Sequence, residues 1–190
     1  MVHNILGCHG TSHDSGRSII DSGFRLSIGF DEWLGDGAYF FINGVNNNIE
    51  TLATKWAIAE AWDNELKQHK YEKYCVLESE INVDDENFLD LTTSDGVEVF
   101  EYFVETFLDK IKSIGRNVKY QDGLLINLAR QENIFPIYVA KGNFYIKFSR
   151  ERVNRIHLRI NNCTICAVYN TDTCVKSTSV VKTGDVYETY

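Results

Sequence analysis

Apolar and polar positions recur along this chain in a few distinct rhythms, and each rhythm predicts an element. The clearest lies in "TSDGVEVFEYFVETFLDKIKSIG", where Phe100, Phe103, Val104, Phe107, Leu108 and Ile111 recur at spacings of three and four. That period gathers them on one helical face, opened by a Ser94/Asp95 cap signal and closed by Gly115. "NNNIETLATKWAIAEAWDNELKQH" reads as a second helix with Asn48 as its cap. Ile49, Leu52, Ala53, Trp56 and Ala59 form its apolar face, and Glu60 interrupts that face. "HDSGRSIIDSGF" predicts a short helix capped by Asp14 or Ser15 and ended by Gly23, and "DGLLINLAR" predicts another. "KYCVLESEINV" alternates Tyr74, Val76 and Glu78 against Cys75, Leu77 and Ser79, which is a strand pattern. After Ile134, "IFPIYVA", "NFYIKFS", "RIHLRIN" and "TICAVYN" read as strands, while the Asn-rich Asn43–Asn48 reads as a loop. Helices concentrated in the first two thirds, with strands around and after them, predict an α+β domain.

Composition narrows this picture. The 190 residues, 44% hydrophobic, suffice for one well-filled core, and a single proline leaves no evident linker, so residues 1–190 are expected to form one domain. No apolar run reaches membrane-spanning length, and "MVHNILGCHG" has no secretory-signal pattern. Five cysteines, an odd number, fit a reducing cytoplasm better than a disulfide framework. The net charge of −8 is unevenly spread: residues 1–110 hold 7 basic against 21 acidic residues, and residues 111–190 hold 12 against 6. "KFSRERVNRIHLR" concentrates Lys147, Arg150, Arg152, Arg155 and Arg159, either a phosphate-holding strip or a solvated strand edge.

Several familiar chemistries are missing. There is no G-x-S-x-G elbow and no phosphate-binding P-loop. Cys163, Cys166, Cys174 and His157 have the donor types for zinc, but on an alternating strand Cys163 and Cys166 point to opposite faces. Cys8 beside His9 has the same defect as a nucleophilic pair, because neighbours on a strand diverge. The more informative stretches are "GCHGTSHDSGRSIIDSGF" and "SIGFDEWLGDGAYFF". The first places a histidine directly before a glycine at the end of a short apolar run, where a missing Cβ allows close approach to the backbone. The second feeds a glycine-containing turn into an aromatic, bulky run.

In that order, "CHGTS…SIIDSGFRLS…WLGDGAYFF" resembles the NAD-binding core of the diphtheria-toxin-like ADP-ribosyltransferases, the poly(ADP-ribose) polymerase catalytic-domain group. A third landmark of that family, a late strand residue four positions before a tyrosine, matches Ile165 and Tyr169 in "ICAVYN". The resemblance implies a split, mainly antiparallel β core with flanking helices, and NAD+ as co-substrate without a metal. It implies that Gly10 meets the nicotinamide carboxamide, His9 the adenosine ribose, and Tyr39 the nicotinamide ring. Thr11 would sit nearby, and Trp56 would be a second wall or else a core tryptophan. His9, Tyr39 and Ile165 are the implied catalytic positions. Because Ile165 is apolar where other members carry glutamate, the resemblance implies transfer of a single ADP-ribose, with any base supplied from elsewhere, Glu132 or Glu78. Glu132, Arg150, Arg155 and Arg159 are the candidate acceptor-binding residues, with Tyr145, Phe148 and Tyr169 available to stack bases. The acceptor is RNA or DNA, or alternatively a protein. A stand-alone domain of this kind is similar to toxin or anti-phage effectors, including the CmdT-type nucleic-acid-modifying toxins, which implies a neutralising antitoxin partner. An NAD-binding module without catalysis, and an unrelated interaction protein, are the alternatives.

Overall fold

The long first strand, β1 (Val2–Ser12), organises the molecule, because its two neighbours in the sheet come from different parts of the chain. The computed structural model describes residues 1–29, 32–114, 121–148 and 162–187. After β1 come α1 (His13–Ser22), β2 (Ala38–Ile42), α2 (Ile49–Ala61), the short strands β3 (Trp62–Asp63) and β4 (Gln68–His69), and β5 (Lys73–Asp84). Then follow β6 (Phe88–Asp90), α3 (Ser94–Ile114), α4 (Gln121–Gln131), β7 (Val139–Tyr145), β8 (Asn162–Val168) and β9 (Val175–Asp185). Among the described residues seven strands form one sheet in the order β6-β7-β8-β2-β1-β5-β9, antiparallel throughout except for the β6–β7 pair. The fold is α+β. Both β1 and β9 flank β5, so the first and last strands share one sheet. No described helix is long and apolar enough to cross a membrane.

The sheet buries residues on both faces. One face carries Cys8, Phe41, Val76, Cys163 and Ile165, packed with apolar residues of α2, α3 and α4. The other carries Phe40, Ile42, Ile81, Cys166 and Val168, with Phe24 and Leu26 against it. Burial on both faces is why "KYCVLESEINV" alternates only weakly: Tyr74, Cys75, Val76 and Leu77 are all buried in succession.

Several boundaries differ from expectation for local reasons. Helix α1 is capped by Ser12, whose Oγ accepts the Ser15 amide at 3.1 Å, and not by Asp14 or Ser15. Its end at Gly23 is as read: φ is +82°, and the Gly23 N–H donates to Ile19 O at 2.8 Å. Thr93, one residue before the expected cap of α3, takes the Gly96 amide on its Oγ1. Asn48 stands at the N-cap of α2, but its side chain makes no capping bond. Helix α2 stops at Ala61, well short of His69. There Asp63 accepts the amides of Glu65 and Leu66, turning the chain into the β3–β4 hairpin. The strands expected in "IFPIYVA" and "NFYIKFS" merge across Gly142 into β7, while "RIHLRIN" lies wholly outside the described residues. Strand β9 has no counterpart among the expected elements.

Candidate functional site

Strands β1 and β2 pair at only two positions, Gly7 with Ile42 and Cys8 with Phe41. Beyond them β1 stays with β5 as far as Ser12, and β2 stays with β8 as far as Ala38. The sheet therefore splits where His9 and Gly10 would otherwise face Phe40 and Tyr39. A cavity of about 540 Å³ occupies the split, a size suited to a small-molecule ligand. The strands contribute His9, Gly10, Tyr39, Phe41 and Ile165 to its lining, and α2 contributes Trp56 and Glu60. The connection from α1 to β2 adds Phe24, Arg25, Ser27, Glu32 and Trp33.

His9 spans the split with its side chain. Its Nδ1 lies 2.8 Å from the Tyr39 carbonyl, and since a carbonyl only accepts, Nδ1 carries the proton and Nε2 is left as an acceptor. Burial holds the imidazole pKa below its ordinary value, opposed by the Tyr39 carbonyl, so the ring is neutral near pH 7. Phe24 meets it edge-on at 5.4 Å. Tyr39 is fixed at its far end: its hydroxyl donates to Gly35 O at 2.7 Å and accepts the Leu34 N–H at 2.9 Å. Burial pushes its phenol pKa up, so it stays protonated.

The loop before β2 is clamped from α4 and the end of β8. Asn127 Oδ1 accepts the Asp36 amide at 2.9 Å, and Arg130 donates to Asp36 O at 3.3 Å while its guanidinium covers the Tyr169 ring at 4.0 Å. The Tyr169 hydroxyl donates to Leu34 O. Gly35 needs to be glycine here, with φ at +82° and a notional Cβ 2.4 Å from Asn127 Oδ1. These contacts hold Trp33 at the cavity, edge-on to Trp56 at 5.6 Å and stacked on Phe144 at 5.4 Å.

Five sequence-expected residues, His9, Gly10, Tyr39, Trp56 and Ile165, line this one cavity, although they are scattered along the chain. Gly10 has a different reason to be glycine than the sequence reading gave. A Cβ there would fall 1.9 Å from the Ala53 carbonyl, so the missing side chain admits helix α2 rather than a ligand. Thr11 lies one position further along β1, opposite Cys75, and does not line the cavity. Glu132 is ion-paired with Lys110 on the surface, and Glu78 lies on β5; neither lines the cavity. Arg150, Arg155 and Arg159 lie outside the described residues. Phe148 and Tyr169 are buried and present no face for stacking a base, whereas Tyr145 is exposed.

The cysteines are packing residues. All five are buried free thiols. Cys163 faces the α2–α4 side of the sheet, while Cys166 and Cys174 sit in the opposite cluster. Among the described residues, no three histidine, cysteine or acidic side chains gather as metal ligands, and His157 is not described. Burial, with Glu78 and Glu50 adding to it, pushes the Cys8 thiol up to about 12, far from a thiolate nucleophile. The sequence reading missed Arg25, Glu32, Trp33 and Glu60 as lining residues. Arg25, Glu32 and Trp33 fall inside the quoted motif stretches without being singled out there, and Glu60 left its signal as the charge that broke the apolar face of α2.

No family model matches this chain. An uncharacterized protein of Methanocaldococcus jannaschii, MJ0359, is 26% identical over 202 residues, covering 95% of this chain and 86% of its own length.

Proposed function

We propose that this protein is an NAD+-dependent mono-ADP-ribosyltransferase acting in the cytoplasm on a macromolecular acceptor. The observation that carries the reading is the split between β1 and β2, with His9 and Gly10 on one rim, Tyr39 on the other, and Ile165 of β8 lining the same cavity. In this reading the nicotinamide ring lies against Tyr39, with Trp56 across from it, an arrangement aromatic rings favour. The Gly10 backbone meets the carboxamide, and the free His9 Nε2 accepts a ribose hydroxyl. The bond from ribose C1′ to the nicotinamide nitrogen then breaks, and its electron pair leaves with neutral nicotinamide.

The electrostatics of the cavity suit that event. C1′ gains positive charge as the bond breaks, as in glycoside hydrolysis. A charged imidazole in the same cavity would oppose this, and burial disfavours charge on His9. Glu32 and Glu60 bring carboxyl groups to the lining. The rest of the catalysis is orientation: Tyr39 and the loop before it are held by hydrogen bonds at both ends.

Two alternatives rest on particular residues. Ile165, which brings no polar atom to the β8 rim, favours an NAD-binding module without catalysis. An RNA or DNA acceptor, and with it an effector-type role, rests on the arginines of residues 150–159, now without Phe148 and Tyr169 as stacking partners.

The test is incubation of the purified protein with NAD+ labelled in the adenylate, with RNA, single-stranded DNA and cell protein as separate acceptors. Nicotinamide release and label on one acceptor class, both lost in His9→Ala, are expected. Thermal stabilisation by NAD+ without turnover would select the binding module, and the absence of both stabilisation and turnover would overturn the reading.

A further inference from the structure

The transfer reaction needs somewhere for a proton to go. A neutral acceptor X–H that attacks C1′ forms an X–C1′ bond and must lose its proton, while nicotinamide leaves with the electrons of the broken C–N bond. Among the described residues the candidates along the cavity are few. The Tyr39 hydroxyl is engaged on both sides, and the Arg25 guanidinium carries donors and no acceptor atom. The Glu32 carboxylate takes the Ser27 hydroxyl. His9 has its Nδ1 proton on a carbonyl, and burial disfavours a second proton on the ring. Ile165 has no polar atom to offer.

Glu60 differs from all of these. It is half-buried on α2, one helical turn beyond Trp56, so the two side chains share a face and line the same cavity. No hydrogen bond or ion pair engages its carboxylate among the described residues. The nearby Tyr71 hydroxyl is turned away, donating to Ala57 O.

From this placement we infer that Glu60 is the proton acceptor for the incoming group, and that the acceptor substrate therefore reacts through an N–H or O–H rather than a carboxylate. A carboxylate acceptor arrives already ionised and needs no base. The proton passes from X–H to the Glu60 carboxylate as the X–C1′ bond forms, and then to water. This inference rests on the transferase reading, and its test separates the two.

Wild type, Glu60→Gln and Glu60→Ala are compared for thermal stabilisation by NAD+, nicotinamide release and transfer to the acceptor. Glu60→Gln keeps the side-chain volume. It is expected to bind NAD+ as wild type does while transferring about 100- to 10,000-fold more slowly. Added formate is expected to raise the rate of Glu60→Ala above its basal level, by supplying a carboxylate to the vacated space. Mass spectrometry is expected to find the ADP-ribose on nitrogen or hydroxyl oxygen. Wild-type transfer by Glu60→Gln, loss of its NAD+ stabilisation, absence of formate rescue, or modification of carboxylate side chains would each overturn the role of Glu60. None of these would touch the transferase reading, provided wild type still cleaves NAD+. A wild-type protein that leaves NAD+ intact overturns both.

Discussion

The same two strands, β1 and β2, behave differently at their two ends. At Gly7–Cys8 and Phe41–Ile42 they are ordinary sheet neighbours, paired backbone to backbone. Two residues on, they part, each keeping its outer partner, and a side chain replaces the ladder: His9 Nδ1 donates to Tyr39 O. Where the ladder stops, an imidazole from the β1 rim satisfies a carbonyl of the β2 rim, and the clamped loop shapes that second rim. The closed end supplies alignment and the open end supplies a cavity.

The contrast can be broken hardest at Gly10. A methyl group there would fall 1.9 Å from Ala53 O, so Gly10→Ala must push α2 off the sheet beside the split. About 3 kcal/mol of lost stability is expected, lowering Tm by roughly 6–12 °C in thermal denaturation without ligand. A Tm unchanged from wild type would show that α2 does not sit on Gly10. The next largest effect is on the opposite rim. Tyr39→Phe keeps the ring but leaves the Leu34 N–H and Gly35 carbonyl without their partner, and Leu34 is fully buried. It should cost about 2 kcal/mol, measured by urea unfolding.

The smallest effect concerns His9 itself, because none of it is present at neutral pH. Its folded-state pKa is depressed below the ordinary 6.5, so the unfolded chain takes up a proton first as pH falls. Stability is therefore full above about pH 6.5 and declines below it, until the folded imidazole also protonates. The slope of unfolding free energy against pH in that window should shrink in His9→Gln. An identical slope would mean that His9 is not the buried neutral group described.

How much of this was legible in the chain depends on whether the cause was local. The helical period of α3, the glycine that ends α1 and the α+β layout are sequence-local and could be read directly. The overrun of α2 was not, because its apolar period fades gradually while one side chain, Asp63, decides the turn. Strand β9 was missed since "VKSTSVVKTGD" has no apolar rhythm; it is an edge strand, held through its backbone to β5. At the site, motif order drew attention to His9, Tyr39, Trp56 and Ile165, but only the fold brings them to one cavity. The reason for Gly10 was illegible for the same cause. Its neighbour is Ala53, 43 positions away, and no spacing in the sequence encodes that contact.

The position of β5 between β1 and β9 also bears on how the protein is made. Residues 85–174 must be synthesised before β9 begins, on the order of ten seconds of translation. Through that interval β5 can join β1 on one side, while its other side is a bare twelve-residue edge. Such an edge invites pairing with other nascent chains. A ribosome stalled before Val175 would therefore release a polypeptide whose longest strand is open to aggregation, and completion of β9 is the step that closes it.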